Sequence, residues 1–161
     1  MPAELPALII TQALTGLIGL AVDGLRHNSK IQKEAKEKLK RVYREIALNK
    51  TLLEKSGCLA CKGISVEDKT FISLAKELRN DETAPLYKYN KRRLIFPDTE
   101  KEVKRRRVQY ALNYVITQID ALKAFAKLKR KDGAPGIRLG VRLRTLHKHF
   151  STLEKILRLQ T

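Results

Sequence analysis

The sequence predicts an all-α protein, a bundle of four to five helices led by a hydrophobic N-terminal helix. Three observations carry this. Aromatic residues are only 6% with no Trp, and there are just 8 Gly and 5 Pro, too few strand formers and turn residues for a barrel or sandwich. Apolar residues are 43% of the chain, enough to build a core. They recur at steps of three and four along most of its length, the period of an amphipathic helix. A length of 161 residues suits one domain with an appendage, since domains run ~100–150 residues. We divide it at residue 25, into a hydrophobic head (1–25) and a basic helical body (26–161).

The head holds 18 consecutive residues without a charge, Leu5 to Val22. As a helix at ~1.5 Å per residue they span about 27 Å, close to a bilayer core. Thr11, Thr15, Gly19 and Asp23 recur every fourth position and so share one face. That row of small and polar residues suits close packing, against a second copy in a bilayer or a neighbouring helix in a soluble bundle. The Met-Pro-Ala-Glu start carries no positive charge, and no small-residue cleavage site precedes the basic stretch, which argues against a secretory signal. If the head spans a membrane, Arg26, Lys30, Lys33 and Lys36 put the body on the cytoplasmic side.

The second helix, capped by Asn28 or Ser29, buries Ile31, Ala35, Leu39, Val42, Ile46 and Leu53 and ends near Ser56-Gly57. A loop with Cys58 and Cys61 follows. Ser65 with Asp68 resembles a capping box opening a short helix that uses Val66, Phe71, Leu74, Ala75 and Leu78. Residues 80–98 are irregular. Asp98 or Thr99 starts a long helix burying Val108, Ala111, Leu112, Val115, Ile119, Leu122 and Ala126, stopped by Asp132-Gly133 and Pro135-Gly136. The last helix has the clearest stripe: Leu139, Leu143, Leu146, Phe150, Leu153 and Leu157.

Charge bounds the partner. Lys and Arg number 34 against 17 Asp and Glu, a net +17, well above the ~2–8 usual for a small domain. The excess is in the body: residues 26–63 hold 11 bases and 4 acids, and residues 98–161 hold 16 and 6. An anionic partner is expected, either nucleic acid or an anionic lipid surface. The candidate contact residues are Lys91-Arg92-Arg93, Lys104-Arg105-Arg106-Arg107, Arg138 and Arg142. Tyr87, Tyr89, Tyr110 and Tyr114 lie near these clusters, and Arg with Tyr can clamp phosphates and stack the bases of single-stranded RNA.

Other chemistry is thin. Cys58-x-x-Cys61 has zinc-ligand spacing, but tetrahedral zinc needs four ligands and no second cysteine pair exists. His147 and His149 lie ~200° apart on a helix and do not aim together. Two ordinary loop thiols, with no metal and no cofactor, are the expectation, and the lack of a cysteine framework fits a reducing compartment. Arg142–His147 and Arg144–His149 match Arg-x4-His, and Arg142–His149 matches Arg-x6-His. This resembles the motif of HEPN ribonucleases, all-helical proteins in which Arg and His from two protomers surround an RNA phosphate. Arg would stabilise charge on the phosphorane and His would move a proton. Leu143 and Leu146 belong to the core stripe between these residues, so the reading leans against catalysis.

The uncharged stretch 5–22, the segment Tyr43-Arg-Glu-Ile-Ala-Leu-Asn-Lys-Thr-Leu-Leu53 and the segment Arg142-Leu-Arg-Thr-Leu-His-Lys-His149 together resemble small accessory proteins of prokaryotic antiviral and CRISPR systems. Those pair a hydrophobic N-terminal helix with a basic, divergent HEPN-like bundle. The resemblance implies a homo-oligomer at the cytoplasmic face of the inner membrane that permeabilises it when infection is sensed. The alternative is a soluble cytoplasmic RNA- or DNA-binding protein, a ribonucleoprotein small subunit or a metal-independent HEPN-like ribonuclease.

Overall fold

The computed structural model describes residues 29–61, 63–88, 100–128 and 138–158. Among these the protein is all-helical. The elements are α1 (Ser29–Lys55), α2 (Lys69–Glu77), a single 3-10 turn (Ala84–Leu86), α3 (Glu100–Leu128) and α4 (Leu139–Arg158). The hydrophobic head, with Thr11, Thr15, Gly19 and Asp23, lies outside the described residues, as do Lys91, Arg92 and Arg93 and the stop signals at 132–136.

Helix α4 is the centre. It packs against α1 on one side and α3 on the other, and α2 closes the back, chiefly against α3. The reason is its leucine stripe. Leu139, Leu143, Leu146, Phe150, Leu153 and Leu157 are all at most 5% exposed, so the stripe faces one continuous core, and α1 and α3 supply its two walls. From α1 come Leu39, Val42, Ile46 and Leu53; from α3 come Val108, Leu112, Val115, Ile119 and Leu122. Both neighbours run antiparallel to α4. Lys50 and Glu54 of α1 meet Glu154 and His147, while Gln118 of α3 meets Arg142 and Tyr114 meets His149.

Helix α1 stops where predicted. Gly57 takes a φ of 75°, a left-handed conformation that glycine adopts without a Cβ clash. Ser56 Oγ donates to the Leu53 carbonyl at 2.7 Å and accepts from the Cys58 amide at 3.1 Å. Helix α2 begins later than the capping-box reading places it. Ser65 closes a turn, its carbonyl accepting from the Asp68 amide, and Asp68 is the cap, its side chain accepting from the Thr70 amide at 2.9 Å. Val66 is buried ahead of the helix, not within it. Aspartate extends its carboxylate to the first free amides, whereas the Ser65 hydroxyl is used by the Glu67 amide at 3.2 Å.

The stretch after α2 makes only turn hydrogen bonds within its own backbone, and side chains from two helices bond several of its remaining backbone groups. Buried Asn49 donates to the Arg79 carbonyl at 2.6 Å and accepts from the Arg79 amide at 2.9 Å. The Glu45 carboxylate accepts from the amides of Glu82 and Thr83 and from the Thr83 hydroxyl at 2.9–3.0 Å. On α3, Gln109 donates to the Leu86 carbonyl at 3.0 Å, and Asn113 bonds both backbone groups of Lys88. Non-helical backbone against a core must find such partners, and here four helix residues provide them.

Candidate functional site

On α4, the leucine stripe has a polar border on each side. The border toward α1 carries His147, Glu154 and Arg158. His147 Nε2 lies 2.8 Å from Glu54 Oε1, and that hydrogen bond holds the Glu54 carboxyl below its usual range, with the Lys50 charge adding to it. Glu154 in turn pairs with Lys50 at 3.6 Å and Arg158 at 2.9 Å. Its oxygen thus bridges two helices.

The border toward α3 carries Arg142 and His149. Arg142 Nη1 donates to Gln118 Oε1 at 3.0 Å, and its guanidinium sits 5.5 Å from the centre of the Phe125 ring. His149 enters an aromatic cluster. Its ring lies 4.4 Å from that of Tyr114 and 5.7 Å from that of Tyr110, and the two tyrosines are 6.5 Å apart. These separations are normal for tilted and edge-on aromatic pairs. Burial, and then the neighbouring Lys148 charge, lower the His149 pKa from its ordinary 6.5. The ring is therefore neutral at pH 7 and serves as an aromatic surface, not a charge.

The cluster stays open to solvent because Tyr110 is 65% exposed. Arg106 and Arg107 precede Tyr110 by four and three residues, which puts them on the same side of α3 one turn earlier. The seam between α3 and α4 thus reads, in order, Arg106 and Arg107, Tyr110, Tyr114 with His149, then Gln118 with Arg142. From Arg107 to Phe125 this is about 27 Å along α3 at ~1.5 Å per residue.

The remaining sequence candidates fall elsewhere. Lys104 and Arg105 lie on α3, but their side chains are outside the described set. Arg138 precedes α4 with a φ of 44° and is exposed. Arg144 folds back along its own helix: a β-carbon added to Gly140 would sit 3.4 Å from Arg144 Nη1. His147 and His149 face different neighbours, α1 and α3. Of the Arg–His pairs, Arg142 and His149 share a flank, about 10 Å apart along the axis. Cys58 is buried and its thiol pKa is raised by that burial, whereas Cys61 is exposed. Among the described residues no group of three His, Cys, Asp or Glu is placed to hold a metal ion.

The sequence placed Tyr110 and Tyr114 near the basic clusters, together with Tyr87 and Tyr89. It did not signal that His149 joins Tyr110 and Tyr114, which depends on the register between α3 and α4. Compared with known proteins, the chain matches no family model, no curated sequence and no solved structure.

Proposed function

We propose that the helical body binds single-stranded nucleic acid, RNA foremost, along the α3–α4 seam. The observation that carries this is the exposed Tyr110 ring, backed by Tyr114 and His149 and lying one turn from Arg106 and Arg107 on a chain of net charge +17. Aromatic rings stack on any base, and arginines neutralise the adjoining phosphates. The reading is of a binding module, not a nuclease. His147 is engaged with Glu54, and His149 is packed on two tyrosines.

Fluorescence anisotropy with a labelled oligouridylate tests this. Affinity should fall steeply as salt rises, because each neutralised phosphate releases counterions. Tyr110→Ala should weaken binding by about tenfold or more at ~1–3 kcal/mol per stacked base, with stability unchanged because the ring is exposed. The RNA should remain intact. Absence of binding at low salt, or full affinity in Tyr110→Ala, refutes the seam. Metal-independent cleavage that vanishes in His147→Ala or His149→Ala, with folding intact, replaces the module by a HEPN-like ribonuclease.

A second reading rests on the 18 uncharged residues from Leu5 to Val22: a membrane-associated homo-oligomer of the antiviral type, its head helices meeting along Thr11, Thr15, Gly19 and Asp23. Among the described residues no helix is long and apolar enough to cross a membrane, so the whole of this reading is carried by the head. Detergent-free cell fractionation checks it. Recovery in the membrane pellet, lost on deleting residues 1–25, is the expected result, and a wholly soluble monomer defeats it.

A further inference from the structure

Helices α2 and α3 enclose an open groove of about 760 Å³, within the ~300–1,000 Å³ typical of small-molecule sites. Four lysines rim it, Lys69 and Lys76 from α2 and Lys123 and Lys127 from α3. Between them the lining is aliphatic, with Ile72, Ala75 and Ala126. The helical repeat explains the pattern. On α2, Lys69, Ile72 and Lys76 step by three and four and share a face. On α3, Ala126 and Lys127 lie three and four residues beyond Lys123, one turn on along the same side. The two faces oppose each other: Ala75 and Ala126 lie buried at the bottom, 1% and 7% exposed, and half-buried Ile72 with the lysine stems supplies the apolar surface between the ammonium groups.

Among the described residues none of these lysines forms an ion pair and no carboxylate lines the groove. Four like charges around one concavity repel, and an anion in their midst relieves that repulsion. The floor decides what the anion is attached to. Among the described residues of the lining there is no aromatic ring to stack on a base, and the only hydroxyl is that of Ser73. Aliphatic side chains and the methylene stems of the lysines suit a hydrocarbon chain. Lys123 lies nine residues from Tyr114, about 180° round α3, so the groove opens on the side of the helix away from the aromatic seam.

We propose that this groove binds a single-chain anionic amphiphile, its alkyl chain along Ile72 and the lysine stems above the buried Ala75 and Ala126, and its phosphate or carboxylate head among the four lysines. The site is independent of the nucleic-acid reading. Nothing in the sequence patterning announced it, because Lys69, Lys76 and Lys123 stand outside the dense basic runs and meet only when α2 packs on α3.

Calorimetric titration with dodecyl phosphate below its micellar concentration tests the proposal, with inorganic phosphate, dodecyl maltoside and an oligouridylate as comparators. Dodecyl phosphate should bind at least about a hundredfold more tightly than inorganic phosphate, since each buried methylene contributes to affinity. It should also bind more tightly than the uncharged maltoside. The double variant Lys76→Glu/Lys123→Glu should weaken it by about tenfold, the factor expected when two exposed charge contacts turn repulsive. Ser73→Trp, an exposed position on the rim, should block the groove by bulk without touching the core. Tyr110→Ala should leave the affinity unchanged, and the oligouridylate should not displace the amphiphile. Phosphate alone binding as tightly as its dodecyl ester, or both groove variants retaining full affinity while folded, overturns the site.

Discussion

Phe150→Ala should destabilise the protein by about 3–5 kcal/mol, the cost of emptying a large buried aromatic site. Phe150 is 0% exposed and lies midway along the α4 stripe, where the walls from α1 and α3 converge. Its removal leaves a cavity bounded by three helices, each already tied to the others through α4, so collapse around it is limited. Phe150→Leu should cost much less, because most of the volume is kept. Urea unfolding followed by circular dichroism measures both. A midpoint for Phe150→Ala within error of the parent would mean that α4 is not the keystone of the bundle.

Glu45→Ala should cost about 2–4 kcal/mol, from a residue that looks like an ordinary charged helix position. It deletes the acceptor for three donors, the Glu82 and Thr83 amides and the Thr83 hydroxyl. Thr83 is 2% exposed, so water does not readily replace the lost carboxylate, and each stranded buried donor costs about 1–3 kcal/mol. Glu45→Gln, which keeps one acceptor oxygen, should fall between. Amide hydrogen exchange gives the local readout: Glu82 and Thr83 should lose protection in Glu45→Ala, well beyond any general loss. Unchanged protection there would show that the segment after α2 is held by packing and not by this carboxylate.

Much of the bundle is written in periodicity. The α4 stripe is legible because six apolar side chains at helical steps admit one burial pattern, and all six are buried. The same holds for Leu39, Val42, Ile46 and Leu53 of α1 and for the predicted core positions of α3. Periodicity names the inward face of a helix but not the neighbour it meets, so α4's place between α1 and α3 was not legible. Polar residues were harder still. Glu45, Asn49, Gln109 and Asn113 resemble solvated helix positions, and their role appears only when the irregular backbone of 79–88 passes within hydrogen-bond reach. The capping-box reading makes Ser65 the cap with Asp68 as its partner three residues on, but the longer-reaching carboxylate of Asp68 takes the helix start. At the candidate site the two tyrosines were visible as neighbours of the basic clusters. Its third member, His149, was not, since 35 residues separate it from Tyr114 and only the inter-helix register unites them.

The central position of α4 also governs how the chain is made. Ribosomes deliver α1, α2 and α3 before α4, and the contacts that bury the apolar face of α1 wait for the last helix; Glu54 and His147, for instance, are 93 residues apart. Until α4 emerges, two long helices carry leucine, isoleucine and valine side chains that it has yet to cover. A stall or truncation anywhere before residue 139 leaves not a smaller bundle but a sticky, strongly cationic intermediate, suited to collecting on whatever polyanion is nearest, the ribosome's own RNA included.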